Sequence, residues 1–422
     1  MSGERSLRTF CAYCAPEPTP SPSQEGSNTG GPVPLLGGVR GGWVGAWFAD
    51  KLAALVASGA DEEDLRESAA ALKQDTLSAF GKMVLLSNLV EAQKANPLIR
   101  QLLSSEHLDQ NAGRIVAEAE RVALSSQGPL PARLVAIRLL GRRPSPDTQL
   151  LPRLLLPENP PEVQSAAVNA LGDANEPLAA GFALDRWERY TTSTRHKLAA
   201  AAARSGALAN ALLAALEQGK ILLIEVDPAT RQALQKTQNT ELQQRAEKLF
   251  KSAVSADREQ VVQSFKPALR MSGVRKHGAE IFAKTCVQCH AMQGEGNRVG
   301  PDLSGIAAQP KETMLMNILD PSRQVSPDFV SYTVVPADGE TLIGLIVAES
   351  AASITLRRPN APDVTIQRGQ IKELKADGKS LMPDGLEQGL TVQDVADLLS
   401  FLRQPDAALL PKETSSEAGG LK

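Results

Sequence analysis

Two thiols and an imidazole crowd into five residues, Cys286-Val287-Gln288-Cys289-His290. Two spacer residues set the thiols about one helical turn apart, so both can reach one edge of a single flat ring. The adjoining imidazole is then placed to ligate a metal at the ring's centre. A Cys-x-x-Cys-His run of this kind reads as a covalent haem attachment site, each thiol forming a thioether to a porphyrin vinyl group and the histidine binding iron from the proximal side. Two other chemistries use closely spaced cysteines. A structural zinc site needs four ligands, and the remaining cysteines, Cys11 and Cys14, lie far upstream in a Pro/Ser/Gly-rich stretch. A redox dithiol would open a helix after a strand in a βαβ setting.

The far side of such an iron needs a sixth ligand or an open site. Met292 is two residues past His290 and is held on the proximal side. Met314 and Met316 sit in an apolar helix, Lys311–Leu319, and read as core packing. Met382 lies in Gly378-Lys379-Ser380-Leu381-Met382-Pro383-Asp384-Gly385, a loop with turn residues on both sides and a proline that stiffens the approach. It is the candidate distal ligand; the alternative is a loop methionine capping a hydrophobic patch.

These groups must be held by helices on either side of them. Val274 to Thr285 has a short helical pattern with Gly278 and Phe282 on one face, a small residue for close crossing and a ring to fill the space beside it. Thr391 to Arg403 forms a second, with Val392, Val395, Leu398, Leu399 and Leu402 as its buried stripe and Thr391, followed by Asp394, as its N-cap. Between Asp320-Pro321-Ser322 and Met382 lie about sixty residues that read as strands: Phe329–Val335, Thr341–Val347, Ser353–Arg358, Val364–Gln367 and Ile371–Leu374. Asp338-Gly339 signals a hairpin turn. Alternation of Tyr332/Val334 with Ser331/Thr333 predicts a half-buried sheet.

Residues 46–265 are rich in Ala and Leu. Pro131 to Gly141 echoes Pro161 to Gly172, a third version follows at Thr194 to Ala203, and a more distant one at Thr240 to Phe250. A period of about thirty residues predicts paired helices stacked as an α-solenoid, like HEAT repeats, serving as interaction surface or spacer. Trp187 and Tyr190 read as packing or surface residues. His107, His196 and His277 show no partner cluster in the sequence.

Gly278 to Phe282, Cys286 to His290, Gly300 to Ile306, Asn317 to Ser322 and Ser380 to Gly385 together resemble a class I cytochrome c domain. More closely, they are similar to the haem-binding domain at the C-terminus of Planctomycetes and Verrucomicrobia membrane-bound dehydrogenase-type proteins. The resemblance implies covalently attached haem c, with Cys286 and Cys289 as thioether residues, His290 as proximal ligand and Met382 as distal ligand. It implies that Pro301 offers its carbonyl to the histidine, although Gly300-Pro301 alone reads as a turn, and that Leu303 packs on the porphyrin. The strand insert then shields one haem edge or docks a partner. The implied role is electron transfer between an upstream dehydrogenase and a downstream cytochrome or oxidase. Similar proteins often carry a β-propeller before the repeats, and this chain has none, so a dehydrogenase activity of its own is not expected. Nor does the chain show a Ser/His/Asp arrangement or a Gly-rich phosphate loop. The rival reading is a non-redox interaction scaffold, or a haem-based sensor, built on the repeats.

The expected architecture is therefore mainly α. A Pro/Gly/Ser-rich disordered segment, 1–45, precedes HEAT-like repeats over 46–265. An α-helical cytochrome c domain follows over 270–404, with a small β-sheet insert at about 329–375, and then a disordered tail, 405–422. A net charge of −3 argues against nucleic-acid binding, and no run of eighteen apolar residues predicts a transmembrane segment. Haem attachment to this motif takes place after export, so a periplasmic or otherwise exported protein is expected. Residues 1–30 hold no apolar core long enough for a signal peptide, which points to a misassigned start or to a piece of a longer exported protein; cytoplasmic residence would leave the motif empty.

Overall fold

The computed structural model describes residues 68–409 apart from 69, 73–76, 95, 105, 143–146, 252–254 and 338. The segments expected to be disordered, 1–45 and all of 405–422 but its first five residues, lie outside the described residues, as do the first helical expectation from 46 to 67, Asp338 and the side chain of His107. The chain forms two compact units, divided between Arg186 and Trp187.

The first unit is helical: α1 (Ala79–Ala92), α2 (Pro97–Leu103), α3 (Glu106–Leu124), α4 (Leu130–Arg142), α5 (Leu150–Leu154), α6 (Pro161–Ala174) and α7 (Pro177–Asp185). Prolines open α2, α6 and α7, where the missing N–H costs nothing. The two segments that echo each other in sequence are α4 and α6, and they pack side by side. A Cβ at Gly141 would lie 2.6 Å from the Ala170 Cα, so only glycine permits this approach. Arg133 is buried there, donating from Nε to the Ala123 carbonyl at 3.1 Å and from Nη2 to Asn159 Oδ1 at 2.7 Å.

The second unit begins with helices α8 (Thr192–Ala202), α9 (Gly206–Glu217), α10 (Pro228–Gln235), α11 (Thr240–Lys251) and α12 (Ala256–Phe265), followed by α13 (Arg275–Thr285). A hairpin of β1 (Ala291–Met292) and β2 (Glu295–Gly296), then α14 (Lys311–Leu319), lead to five strands: β3 (Val330–Pro336), β4 (Leu342–Glu349), β5 (Ser353–Arg358), β6 (Ala361–Gln367) and β7 (Ile371–Ser380). Helix α15 (Val392–Arg403) follows. The crossing of α13 and α15 organises this unit. A Cβ at Gly278 would fall 2.1 Å from the Asp397 carbonyl oxygen, and Phe282 meets Phe401 with ring centroids 5.5 Å apart. Thr391 and Asp394 close a capping box on α15. Val262 of α12 joins the same core as Phe282, Leu315, Leu319 and Leu399, so a helix upstream of the expected cytochrome boundary shares its interior.

The strands form one antiparallel sheet in the order β6-β5-β4-β3-β7. Tyr332 stands opposite Gly344 and Ala376, and Val334 opposite Leu342 and Leu374. Val334, Ile354, Leu356 and Ile366 make one apolar cluster, while Val330, Tyr332 and Ala376 pack on Ile224 from the helical segment. Three sequence expectations differ here: β6 begins at Ala361 rather than Val364, because its first residues pair with β5. Ser331, assigned by alternation to the polar face, is buried because its hydroxyl donates to Asp377 Oδ2 at 2.6 Å. Strand β7 continues past Leu374 to Ser380, so the Met382 loop leaves directly from a strand end. Glu349 of β4 accepts from the Thr192 backbone N–H at 2.7 Å, tying the sheet to α8. Trp187 and Tyr190 are both buried; the Trp187 indole donates to Glu225 Oε1 at 2.9 Å, and Arg195 Nη1 lies 3.2 Å from the same oxygen. No helix among the described residues is long and apolar enough to cross a membrane.

Candidate functional site

Helix α13 stops at Thr285 and the chain turns at once. The Cys286 and Val287 N–H groups donate to the Phe282 carbonyl at 2.8 and 3.1 Å, and those of Cys289 and His290 to the Cys286 carbonyl at 3.0 and 2.9 Å. The β1–β2 hairpin then doubles the chain back through Gln293 and Gly294, both in the left-handed region (φ 52° and 91°). The return strand is stitched to the motif: Val299 and Gly300 donate to the Cys289 carbonyl at 3.0 and 2.7 Å, and Leu303 to Ala291 at 2.8 Å.

This return places a backbone acceptor beside the imidazole. His290 Nδ1 donates to the Pro301 carbonyl at 2.9 Å, which leaves Nε2 as the bare nitrogen for a metal. Gly300 lies flat against the ring; a Cβ there would sit 2.5 Å from Cε1 and 2.8 Å from Nδ1. Burial pushes the His290 pKa down, against the pull of the Pro301 hydrogen bond, and so favours the neutral ring that can ligate. Cys286 and Cys289 are both free thiols. Burial, with Cys289 second, pushes Cys286 up to about 12, and burial raises Cys289 too. That is opposite to the acidified thiol of a reactive redox dithiol.

A cavity of about 660 Å³ opens in front of this motif, within the usual range for ligand and cofactor sites. Cys286, Cys289, His290, Pro301, Leu303 and Met382 all line it. Apolar wall comes from Phe282, Ile306, Ile318, Leu398 and Leu402, and Met314 also reaches the cavity, whereas Met316 does not line it. The Met382 loop is pinned at its root: Ser380 N donates to Ser322 Oγ at 3.1 Å, Leu381 N to the Phe329 carbonyl at 3.2 Å, and Met382 N to Ser380 Oγ at 3.2 Å. Two thiols, a neutral imidazole oriented through its other nitrogen, a thioether and apolar walls form a donor set that fits an iron porphyrin.

Several contributors had no sequence signal. Phe329, Leu345 and Pro359 bring the strand insert onto the cavity wall, while its Tyr332 side packs on the chain's own helices. Nothing in an apolar alternation distinguishes those wall residues from ordinary core. Arg258 and Glu387, 129 residues apart, pair at 2.9 Å beside the Met382 loop. His277 also needs correction: it has partners, with Nδ1 2.8 Å from Asp397 and 3.7 Å from Asp394, because the α13–α15 crossing joins segments far apart in sequence.

The cytochrome c family model matches residues 276–331. Cytochrome c of Arabidopsis thaliana is 44% identical over 39 residues, 9% of this chain and 35% of that protein. The cytochromes c of Stellaria longipes and Cochliobolus lunatus are each 49% identical over 35 residues, 8% of this chain and 32% of theirs. The chain thus spans about a third of the length of the curated relatives it matches. A cytochrome c domain in the C-terminal region implies covalently bound haem c with its iron as cofactor.

Proposed function

We propose that the chain is an electron-transfer protein in which Cys286 and Cys289 carry the haem, His290 is the proximal ligand and Met382 the distal one. Bound haem iron supplies reversible one-electron transfer. The protein's part is to set its potential. His290 keeps its proton on Nδ1 by donating to Pro301, so Nε2 stays committed to iron. A thioether on the distal side favours the ferrous state relative to a second imidazole. Walls such as Phe282, Ile306 and Leu398 act in the same direction, because a low-dielectric cavity penalises the extra ferric charge. The donor is an associated dehydrogenase and the acceptor another cytochrome or an oxidase. The helical repeats upstream of the haem motif serve to dock or space those partners, and the protein works after export.

The observation that carries this reading is the convergence of both thiols, the oriented imidazole and the Met382 loop on one apolar cavity. Its test is production in a host equipped for cytochrome maturation, with export, followed by intact mass and a pyridine haemochrome spectrum. The mass should exceed that of the bare chain by one haem, and Cys286→Ser should weaken covalent retention. An apoprotein mass without Soret absorbance would refute it.

A further inference from the structure

Helix α12 lies outside the matched stretch 276–331, yet its Arg258 contacts the end of α14 and the segment that follows Met382. Its Arg258 is only 16% exposed and its partner Glu387 only 10%. The guanidinium donates from Nη1 to Glu387 Oε1 at 2.9 Å and from Nη2 to Oε2 at 3.0 Å, a two-pronged pair with the loop that runs from Met382 to Leu390. Its Nε also donates to the Leu319 carbonyl at 2.7 Å, and Nη2 donates to the same oxygen. Leu319 ends α14, whose last-turn carbonyls lack partners within the helix and attract a cation. Asp384, two residues past Met382, lies 4.0 Å from the same Nε.

One side chain therefore ties three elements together. On one side is α14, whose Met314, Asn317 and Ile318 line the cavity; on the other is the loop whose Met382 and Leu386 line it. The root of that loop is held to its neighbours by neutral hydrogen bonds, Ser380 N to Ser322 Oγ at 3.1 Å and Leu381 N to the Phe329 carbonyl at 3.2 Å, whereas its far half is held by the charged pair. Glu387 answers in kind: its carboxyl is held below the ordinary glutamate range by the Arg258 hydrogen bond.

We propose that Arg258 is a positioning residue that clamps the Met382 loop against the cavity, so that the upstream helix sets how firmly the distal thioether stays on the iron. The inference rests on the reading of Met382 as distal ligand. A loosened loop would leave the sixth position open for a larger fraction of the time, and an added ligand then binds more tightly in proportion to that fraction.

The test uses the full-length, haem-loaded ferric protein with imidazole as the probe. Three quantities are read: imidazole affinity, the long-wavelength sulfur-to-iron charge-transfer band, and the reduction potential. Arg258→Met should raise imidazole affinity about tenfold, the weight of one charge-assisted pair, with a weakened band. Glu387→Gln, which keeps shape and solubility, should do the same if Arg258→Met does not fold. The swap of Arg258→Glu with Glu387→Arg restores the charge pair but not the Leu319 contact, so it should recover only part of the wild-type value. Met382→Ala sets the upper limit of affinity. If Met382→Ala shifts affinity and band while Arg258→Met and Glu387→Gln match wild type, the clamp is wrong and the ligand stands. If Met382→Ala changes nothing, the ligand assignment fails and the clamp with it.

Discussion

His290 Nδ1 donates to the carbonyl of Pro301, eleven residues further on, at 2.9 Å. The acceptor belongs to the backbone, so the side chain at 301 is not what orients the imidazole. Pro301→Ala should therefore leave the reduction potential little changed. Gly300→Val should not, because its Cβ would press on the ring from 2.5 Å; strain on the order of 1–3 kcal/mol at the iron–imidazole bond should lower haem yield and alter the potential. Spectroelectrochemistry of both variants separates the two residues.

Met382 is the side chain whose removal tests the distal assignment. Met382→Ala should abolish the sulfur-to-iron charge-transfer band and lower the potential by roughly 0.1 V. Retention of the band would move the assignment to Met314, which also lines the cavity.

Gly278 allows α13 to rest on α15, with no room for a Cβ 2.1 Å from the Asp397 carbonyl. Gly278→Val should destabilise the chain by about 3 kcal/mol, read as a shift of the urea midpoint.

Glu225 and Arg195, 8% and 10% exposed, form a buried pair that also receives the Trp187 indole. Glu225→Ala should cost about 3 kcal/mol or more by leaving the guanidinium unpaired, whereas replacing both, Arg195→Met with Glu225→Leu, should cost less. Equal losses in the two variants would count against the pair as the source.

The His277–Asp397 contact should give stability a pH window. The Asp397 hydrogen bond raises the His277 pKa above 6.5, so the histidine's contribution is full below that value and is lost as pH rises through the higher folded one. Burial alone would raise Asp397, but hydrogen bonds led by His277 hold it below 3.8; its contribution is present above that value and lost as pH falls through the lower folded one. The urea midpoint of wild type minus that of His277→Gln should therefore be largest between the two limits and shrink toward alkaline pH.

The attachment motif, its flanking helices and the strands of the insert were readable from residue order because each is a local pattern. Five adjacent residues carry the thiols and imidazole, Gly278 and Phe282 lie one turn apart on one face, and Thr391 with Asp394 form a cap within a single turn. The strand ends were less legible, since β7 gains its last residues by pairing with β3 rather than from its own composition.

Other relationships join segments that no local window contains. Arg258 meets Glu387, Asp397 meets His277, and Phe329, Leu345 and Pro359 reach the cavity wall only once the sheet has curled against the helices. Charged and apolar side chains of these kinds are common everywhere in the chain, and their meaning depends on what lies within a few ångströms. Short-range periodicity therefore identified the chemistry on offer, whereas long-range packing selected the side chains that enclose and hold it.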